Sequence, residues 1–150
     1  CCGAKKLQEY TSTGSLVRQI SVGNNFYHAI ELHDGTLAVS HSGEVHGVSI
    51  MSADCHFLRT NGFHLSWPHC LAADSQGFLL VGDVNNHRIL VVNPAMSDTR
   101  PLPLPLNSTG TIRLPFGLWY EESRGRLYGA EDGFGRVLVF DNVFNVGAVF

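Results

Sequence analysis

The sequence predicts an all-β fold, and three observations lead to this prediction. A similar segment recurs three times, with Gly35, Gly77 and Gly125 separated by intervals of 42 and 48 residues. Within each copy, short apolar runs alternate with turn-forming Asp, Asn, Ser and Gly, which is typical of strands joined by tight turns. No segment shows the sustained 3.6-residue periodicity of an amphipathic helix. A fixed period of this length indicates stacked supersecondary units, and four strands fit within it.

The best copy shows how one unit is built. Residues 71–73 form a small apolar run that leads into a turn at residues 74–77. Residues 78–81 and 89–92 are almost continuously apolar, which predicts strands buried on both faces. A second turn at residues 83–86 separates them, and a more polar fourth strand is expected at the rim. Four-stranded units in series, with buried central strands, are the blades of a β-propeller.

The same unit resembles the NHL repeat, a family named for an Asn-His-Leu signature. The resemblance is carried by Pro68, by the turn Asp74-Ser75-Gln76-Gly77 and by Asn86-His87-Arg88, the common variant of the signature. It is strong in the third unit, good in the fourth and weak in the second, where Val45-His46 replaces the His-Arg pair. The resemblance implies antiparallel four-stranded blades, six of which usually close a ring.

The repeat sets the expected boundaries of the blades. We predict the outer half of a blade at residues 1–22 and further blades at residues 23–62, 63–110 and 111–150. Because propellers close with about 4–8 blades, the chain makes an incomplete ring. We expect a longer protein to supply the remaining blades. The alternatives are a ring closed by another copy and an open assembly in which neighbouring chains cover the exposed blade faces.

Charge and hydropathy narrow the classes of partner. The net charge is −3, charged residues make up 15% of the chain, and Lys5 and Lys6 are its two lysines. This composition lacks the basic footprint expected of a nucleic-acid-binding domain. No apolar stretch reaches the roughly 18 residues needed for a membrane-spanning helix. We therefore expect a protein partner, and neither nucleic acid nor a membrane span.

The cysteines and one sequon indicate the cellular compartment. Cys1, Cys2, Cys55 and Cys70 match no zinc pattern. Cys1 and Cys2 are candidates for disulfide bonds, whereas Cys70 lies in an apolar run and is expected to be a buried thiol. Asn107 begins an Asn-Ser-Thr glycosylation sequon within a proline-rich insertion. These features favour an extracellular glycoprotein, and a cytoplasmic protein is the alternative.

One polar turn and one aromatic pair are the candidate binding residues. Asp83, Asn86 and Arg88 form the turn, but the recurrence of the arginine as Arg136 in the fourth unit favours a structural interpretation. We expect Asp and Asn to shape the turn and Arg88 to bond to a neighbouring blade.

The aromatic pair departs from the repeat. Trp119 and Tyr120 replace the small residues Ala72 and Ala73 of the third unit. A binding role and a wider space between blades explain this replacement equally well.

The histidines do not predict a metal site. The chain has eight of them, and they occupy non-equivalent places in the repeat. His69 begins an innermost strand and is placed to face the central channel, where some lyases with NHL-like blades bind metal. The equivalent positions hold Tyr27 and Phe116, which are not a set of metal ligands. No Ser/His/Asp arrangement is evident, so no catalytic residue, metal or cofactor is predicted.

The leading functional hypothesis is a non-catalytic propeller scaffold for protein–protein interaction or self-assembly. A protein partner, or further copies of the chain, would complete the propeller. One alternative is a metal-dependent propeller lyase or hydrolase, which requires channel-facing ligands in several blades. The other is an RNA-binding NHL domain, which requires a basic face. The fold by itself does not choose among them.

Overall fold

Twelve strands joined by tight turns make up the described part of the chain. The computed structural model describes residues 4–44, 46–105 and 110–144, with the backbone alone for residues 4–5 and 21–24. The strands are β1 (Ala4–Tyr10), β2 (Leu16–Glu31), β3 (Leu37–Ser42), β4 (Gly47–Met51), β5 (Phe57–Asn61), β6 (Pro68–Ala73), β7 (Leu79–Asp83), β8 (Arg88–Val92), β9 (Thr99–Pro101), β10 (Pro115–Glu121), β11 (Arg126–Glu131) and β12 (Arg136–Phe140).

The strands form three antiparallel sheets in which neighbours in the chain pair with each other. The first sheet has the order β1-β2-β3-β4-β5, the second β6-β7-β8-β9 and the third β10-β11-β12. Helical structure in the described residues is limited to two 3₁₀ turns, Val84–Asn86 and Glu122–Arg124. The predicted all-β class and the four-stranded antiparallel units are confirmed, and the third sheet shows three strands within the described residues.

Strand β2 takes part in two pairings along its length. Leu7 of β1 pairs with Ile20 in its first half, and Ala29 in its second half pairs with Val39 of β3. The boundary predicted at the end of residues 1–22 falls inside this strand, so the first hairpin belongs to the same sheet as β3, β4 and β5. The assignment of that hairpin to a separate blade stays a prediction.

Two apolar layers of the core lie between the sheets, and a third buried cluster, formed by Phe26, Val39, Met51 and Cys55, lies on the other face of the first sheet. Between the first and second sheets lie Ala38, Val48, Ile50, Leu71, Leu79, Val81, Leu90 and Val92. Between the second and third sheets lie Ala72, Leu80, Ile89, Val91, Leu127, Leu138 and Phe140. Successive residues of β7 and β8 enter opposite layers because side chains alternate across a strand. The prediction that these two strands are buried on both faces is confirmed.

Candidate functional site

The first strands of the three units, β2, β6 and β10, lie side by side and form what we call the inner edge. Each carries one extra residue, which lies near the start of β6 and β10 and in the second half of β2. In β6, Pro68 pairs with Asp83 and Cys70 pairs with Gly82, which leaves His69 outside the regular register. Such a bulge bends the strand and re-aims the side chain of the extra residue. The position therefore differs from ordinary strand positions, whose side chains enter the core layers.

The same bulge occurs in the other two inner strands. Tyr27 lies at the register shift of β2, and Phe116 lies at the register shift of β10. The three bulged residues are thus Tyr27, His69 and Phe116, one from each sheet. The sequence aligns these positions, but the bulges themselves become visible only when the strands are paired.

The bulged side chains pack against one another along the inner edge. The ring centroids of Tyr27 and His69 are 5.4 Å apart, and those of His69 and Phe116 are 4.8 Å apart. The Trp67 indole lies nearly perpendicular to the rings of both His69 and Phe116, with centroid distances of 6.0 and 5.4 Å. We call these four side chains the aromatic cluster. All four are half-buried, so they offer aromatic surface to solvent.

Two imidazoles lie at this edge with defined hydrogen bonds. The Nδ1 atom of His28 accepts a hydrogen bond from the backbone N–H of Leu71 at 3.1 Å, so its neutral ring carries the proton on Nε2. The Nδ1 atom of His69 lies 3.3 Å from the Phe116 carbonyl oxygen. Burial lowers the pKa of His28, and the neighbouring His69 lowers it further. The His28 ring is therefore neutral at physiological pH and presents an N–H donor.

The polar turn predicted as a candidate loop forms a closed network. The Asp83 carboxylate is fully buried and lies 2.7 Å from the Nε atom of Arg88. It also accepts hydrogen bonds from the Asn86 side-chain amide at 2.8 Å and from the Ser66 backbone N–H at 2.7 Å. Arg88 donates in addition to the His64 carbonyl at 3.3 Å. All these partners lie within one predicted blade, so the expectation that Arg88 bonds to a neighbouring blade was wrong.

The network recurs in the third sheet. Glu131 is buried and pairs with Arg136 at 2.5 Å, and it accepts a hydrogen bond from the Arg113 backbone N–H. Arg136 donates to the Thr111 carbonyl at 3.1 Å. In the second and third sheets, the acid–arginine pair thus connects the segment before the inner strand to the turn between the next two strands. Its recurrence indicates a structural element of the repeat.

Trp119 and Tyr120 project from opposite faces of the third sheet. The Trp119 side chain is 60% exposed and stacks on Tyr128 with the centroids 5.1 Å apart. Tyr120 instead lies edge-on to Phe144 at 4.9 Å and packs into the layer between the second and third sheets. The two predicted candidates therefore belong to different environments, and Trp119 alone is presented to solvent.

Trp119 belongs to an apolar sheet face, which we call the open face. Its members are Trp119, Tyr128, Val137 and Val139. Trp119 pairs with Tyr128, and Tyr128 pairs with Val139, which places the three side by side across the sheet. The equivalent positions of the second sheet hold Ala72, Leu80, Ile89 and Val91, which pack against the third sheet. The open face is thus the counterpart of an interface between sheets inside this chain.

Comparisons with known proteins agree with this architecture. Residues 65–92 match the family model of the NHL repeat. This segment of the chain is an NHL repeat. Its matched span contains the inner strand β6, the buried strands β7 and β8, and the Asp83–Arg88 network between them. No curated protein matches the sequence.

Solved structures place the NHL repeat within a β-propeller fold. The chain is similar to a structure of a nidogen/laminin complex, with 16% identity and a TM-score of 0.69, over 87% of this chain and 50% of that one. It is similar to a streptogramin B lyase, with 17% identity and a TM-score of 0.61, over 93% and 48%. A virginiamycin B lyase from Staphylococcus aureus gives 15% identity and a TM-score of 0.61, over 92% and 49%. The chain therefore spans about half the length of these propellers.

The remaining sequence candidates fall in two groups. Cys1, Cys2 and Asn107 lie outside the described residues, so their predicted modifications stay predictions. Cys70 is a buried free thiol, as predicted; its burial raises the thiol pKa to about 12. The described residues contain no group of three or more side chains arranged to hold a metal ion. In that part of the chain there is also no helix able to cross a membrane.

The sequence analysis did not predict two features, one at the inner edge and one on the third sheet. The first is the aromatic cluster, for which the aligned positions of Tyr27, His69 and Phe116 were a usable signal. The second is the open face, which a comparison of Val137 and Val139 with the second sheet would have indicated. In both cases the repeat contained the signal, but only strand register assigns a side chain to a face.

Proposed function

We propose that the chain is a non-catalytic β-propeller scaffold for protein–protein contact, and that the open face is its contact surface. One observation carries the proposal: the open face occupies the repeat positions that form a buried interface in the preceding sheet. Contiguous apolar surface on a soluble protein marks interaction sites. Trp and Tyr are also the side chains that most often dominate binding energy at interfaces.

The chemistry of this face favours another β-sheet as its occupant. The two internal layers are both formed by sheets packed face to face, the first mainly through aliphatic side chains and the second through aliphatic and aromatic ones. Another copy of the chain offers the same kind of surface. The structural neighbour that contains nidogen was solved in complex with laminin, which supports protein binding as a use of this fold.

Site-specific photo-cross-linking tests the proposal, because it captures a partner whose identity is unknown. A photoreactive side chain replaces Val137 on the open face, and a matched variant carries it at Leu58 of β5. These two positions are similarly exposed, at 60% and 57%. We expect discrete cross-linked protein from position 137 and much less from position 58. Equal cross-linking from both positions, or none from 137, contradicts the proposal.

A lyase is the second candidate, because the inner edge places a neutral imidazole beside His69. Three of the structural neighbours are lyases, and one of these, a catalytically inactive variant, was solved with quinupristin. Incubation with quinupristin, with and without added divalent cations, tests this candidate by chromatography. Conversion that is lost in His69→Ala supports a lyase, and an unchanged substrate in every condition opposes it.

We also infer an extracellular location with a glycan on Asn107, as the sequon and cysteines favour. Endoglycosidase treatment of the native protein tests this inference through a mobility shift that Asn107→Gln abolishes. An identical mobility of treated and untreated protein contradicts it.

A further inference from the structure

A cavity of about 550 Å³ lies beside β9, next to the layer between the second and third sheets. Its lining includes Arg100, Leu102, Leu104, Phe140 and Val143, and we call it the Arg100 cavity. We propose that it binds a small molecule in which a carboxylate is joined to an apolar body, such as a medium-chain fatty acid. The proposal does not depend on the open face, so the two sites are tested separately.

The walls of the Arg100 cavity are mostly apolar. The side chains of Leu102, Phe140 and Val143 are buried and belong to the layer between the two sheets. The proline-rich stretch is held in place because the backbone N–H of Leu102 donates to the Ile89 carbonyl at 2.8 Å. Pro103 adds apolar surface without a backbone N–H. A volume of this size and an apolar lining with few polar groups are typical of small-molecule sites.

The Arg100 guanidinium supplies a donor that lacks an acceptor. Arg100 lies opposite Val91 in the pairing of β8 and β9, and Val91 packs towards the third sheet. Its Nη2 atom donates to the Val143 carbonyl at 3.4 Å. Its Nε atom is buried, and no group among the described residues accepts a hydrogen bond from it. Because buried donors normally have an acceptor, this N–H indicates a ligand that accepts hydrogen bonds.

The charge of Arg100 is also uncompensated. In the described part of the chain, no carboxylate forms an ion pair with it. Asp141 lines the same cavity, but its carboxylate bonds to Arg126 at 2.6 Å. Burial lowers the pKa of Arg100, because removal from water disfavours the charged form. A ligand carboxylate would balance this charge and accept two parallel N–H bonds from the guanidinium.

The first sheet contains a counterpart of Arg100 in a different environment. Arg59 of β5 lies opposite Ile50, as Arg100 lies opposite Val91. The two arginines therefore occupy the same place in their units, yet Arg59 is exposed and Arg100 is half-buried. Water can solvate the Arg59 guanidinium, whereas the Arg100 Nε atom is shielded from it. Arg59 is thus a matched control for Arg100.

The charge and the apolar walls together select the class of ligand. A cation in an open, polar site would bind inorganic anions as well as organic ones. Apolar walls without the cation would bind neutral apolar molecules. The Arg100 cavity combines both features, so a carboxylate with an attached hydrocarbon complements it best.

Isothermal titration calorimetry of the native protein with octanoate tests the proposal. Octanol keeps the apolar body without the charge, and acetate keeps the charge without the body, so we expect both to bind at least about tenfold more weakly. Arg100→Gln removes the charge and should weaken octanoate binding by about tenfold or more. Arg100→Lys should retain part of the affinity, because an ammonium group keeps the charge without the planar fork. Arg59→Gln should leave octanoate binding unchanged.

Three outcomes overturn the proposal: no saturable binding of octanoate, binding of octanol or acetate as tight as that of octanoate, or equal losses in Arg100→Gln and Arg59→Gln. Thermal unfolding without ligand shows whether the compared variants are folded. The comparison of octanoate with octanol and acetate uses the wild type alone, so it stays decisive if Arg100→Gln does not fold. Cross-linking from Val137 is unaffected by these outcomes, so the failure of one proposal is distinguishable from the failure of the other.

Discussion

At the scale of single residues, we expect substitution of the buried carboxylates to reduce stability most. Asp83 is fully buried, and its two oxygens satisfy an arginine, an amide and a backbone N–H. Removal of one partner from a buried pair leaves the other partner's groups without compensation, which costs far more than loss of an exposed pair. The acid–arginine pair of the NHL repeat is therefore a stability determinant of its unit.

We predict that Asp83→Ala lowers the free energy of unfolding by about 3 kcal/mol, as measured by denaturant titration. Asp83→Asn should lose less, because the amide oxygen still accepts from the Ser66 N–H. Arg126→Ala is the comparison variant, since Arg126 forms an exposed pair with Asp141 at 2.6 Å. A loss for Arg126→Ala as large as that for Asp83→Ala would show that burial does not govern the effect.

Gly82 is a second residue with a defined steric role. A Cβ atom at this position would lie 2.6 Å from the Pro115 carbonyl oxygen and closer still to the Cys70 Sγ. The inner strand of the next sheet approaches the backbone here, so the glycine permits neighbouring sheets to converge.

We predict that Gly82→Ala destabilises the protein by about 1–3 kcal/mol, as measured by thermal and chemical unfolding. Gly129→Ala is the matched variant, because its Cβ would meet the Ile89 Cδ1 at an ordinary 3.4 Å. Addition of Cys70→Ala to Gly82→Ala should restore only part of the loss, since the Pro115 carbonyl still blocks the methyl group. Equal stability of the two glycine variants contradicts this account.

At the scale of elements, turns join adjacent sheets at the surface. Glu122, in the 3₁₀ turn after β10, accepts hydrogen bonds from both the hydroxyl and the backbone N–H of Ser75, in the turn between β6 and β7. These bonds lower the pKa of Glu122 below its usual 4.5. Nearby Asp74 has its pKa raised by burial. As the pH falls, protonation of Glu122 therefore lowers the stability of the fold, whereas protonation of Asp74 raises it.

The sign of the pH dependence follows from linkage. A carboxylate with a depressed pKa in the folded state stabilises the fold above its unfolded pKa, and this contribution is lost as the pH falls through the folded pKa. We predict that Glu122→Gln lowers the Tm above about pH 5 and that the difference from the wild type shrinks below pH 4.5. Ser75→Ala should produce a similar convergence. A Tm difference that stays constant from pH 3 to pH 7 contradicts this role.

The strands show which elements can be predicted from the sequence. The sequence predicts β7 and β8 within two residues of their observed ends, because continuous apolar runs bounded by turn residues are a strong signal. The bulge at His69 is not predictable, because it depends on how Pro68 and Cys70 pair with the next strand. The Asp83–Arg88 pair is not predictable for the same reason. The pair recurs in the third sheet, where Glu131 is the acid and Arg136 is the arginine.

At the scale of the whole molecule, both ends of the series of sheets have exposed apolar side chains. In the first hairpin, Tyr10 and Val17 are 53% and 55% exposed, and they share their face with Gln8 and Gln19, whose side chains bond to each other at 2.8 Å. The open face of the third sheet is apolar and includes the exposed Trp119. The sequence predicts that an incomplete ring has an apolar blade face, which further blades or a partner would bury. Which surface is apolar follows only from the pairing of β10, β11 and β12.

The exposed open face leads to a prediction about assembly. Water-exposed apolar surface favours association, so we expect the purified chain to self-associate through the open face. Trp67→Phe leaves Trp119 as the sole tryptophan, which makes its fluorescence a reporter of that face. Acrylamide quenching of Trp119 should fall as protein concentration rises, in step with larger species seen by sedimentation velocity.

Trp119→Gln in the wild-type background should shift sedimentation towards the monomer, whereas Leu58→Gln should not. Full quenching of Trp119 at every concentration would show that a second copy of this chain does not cover the open face.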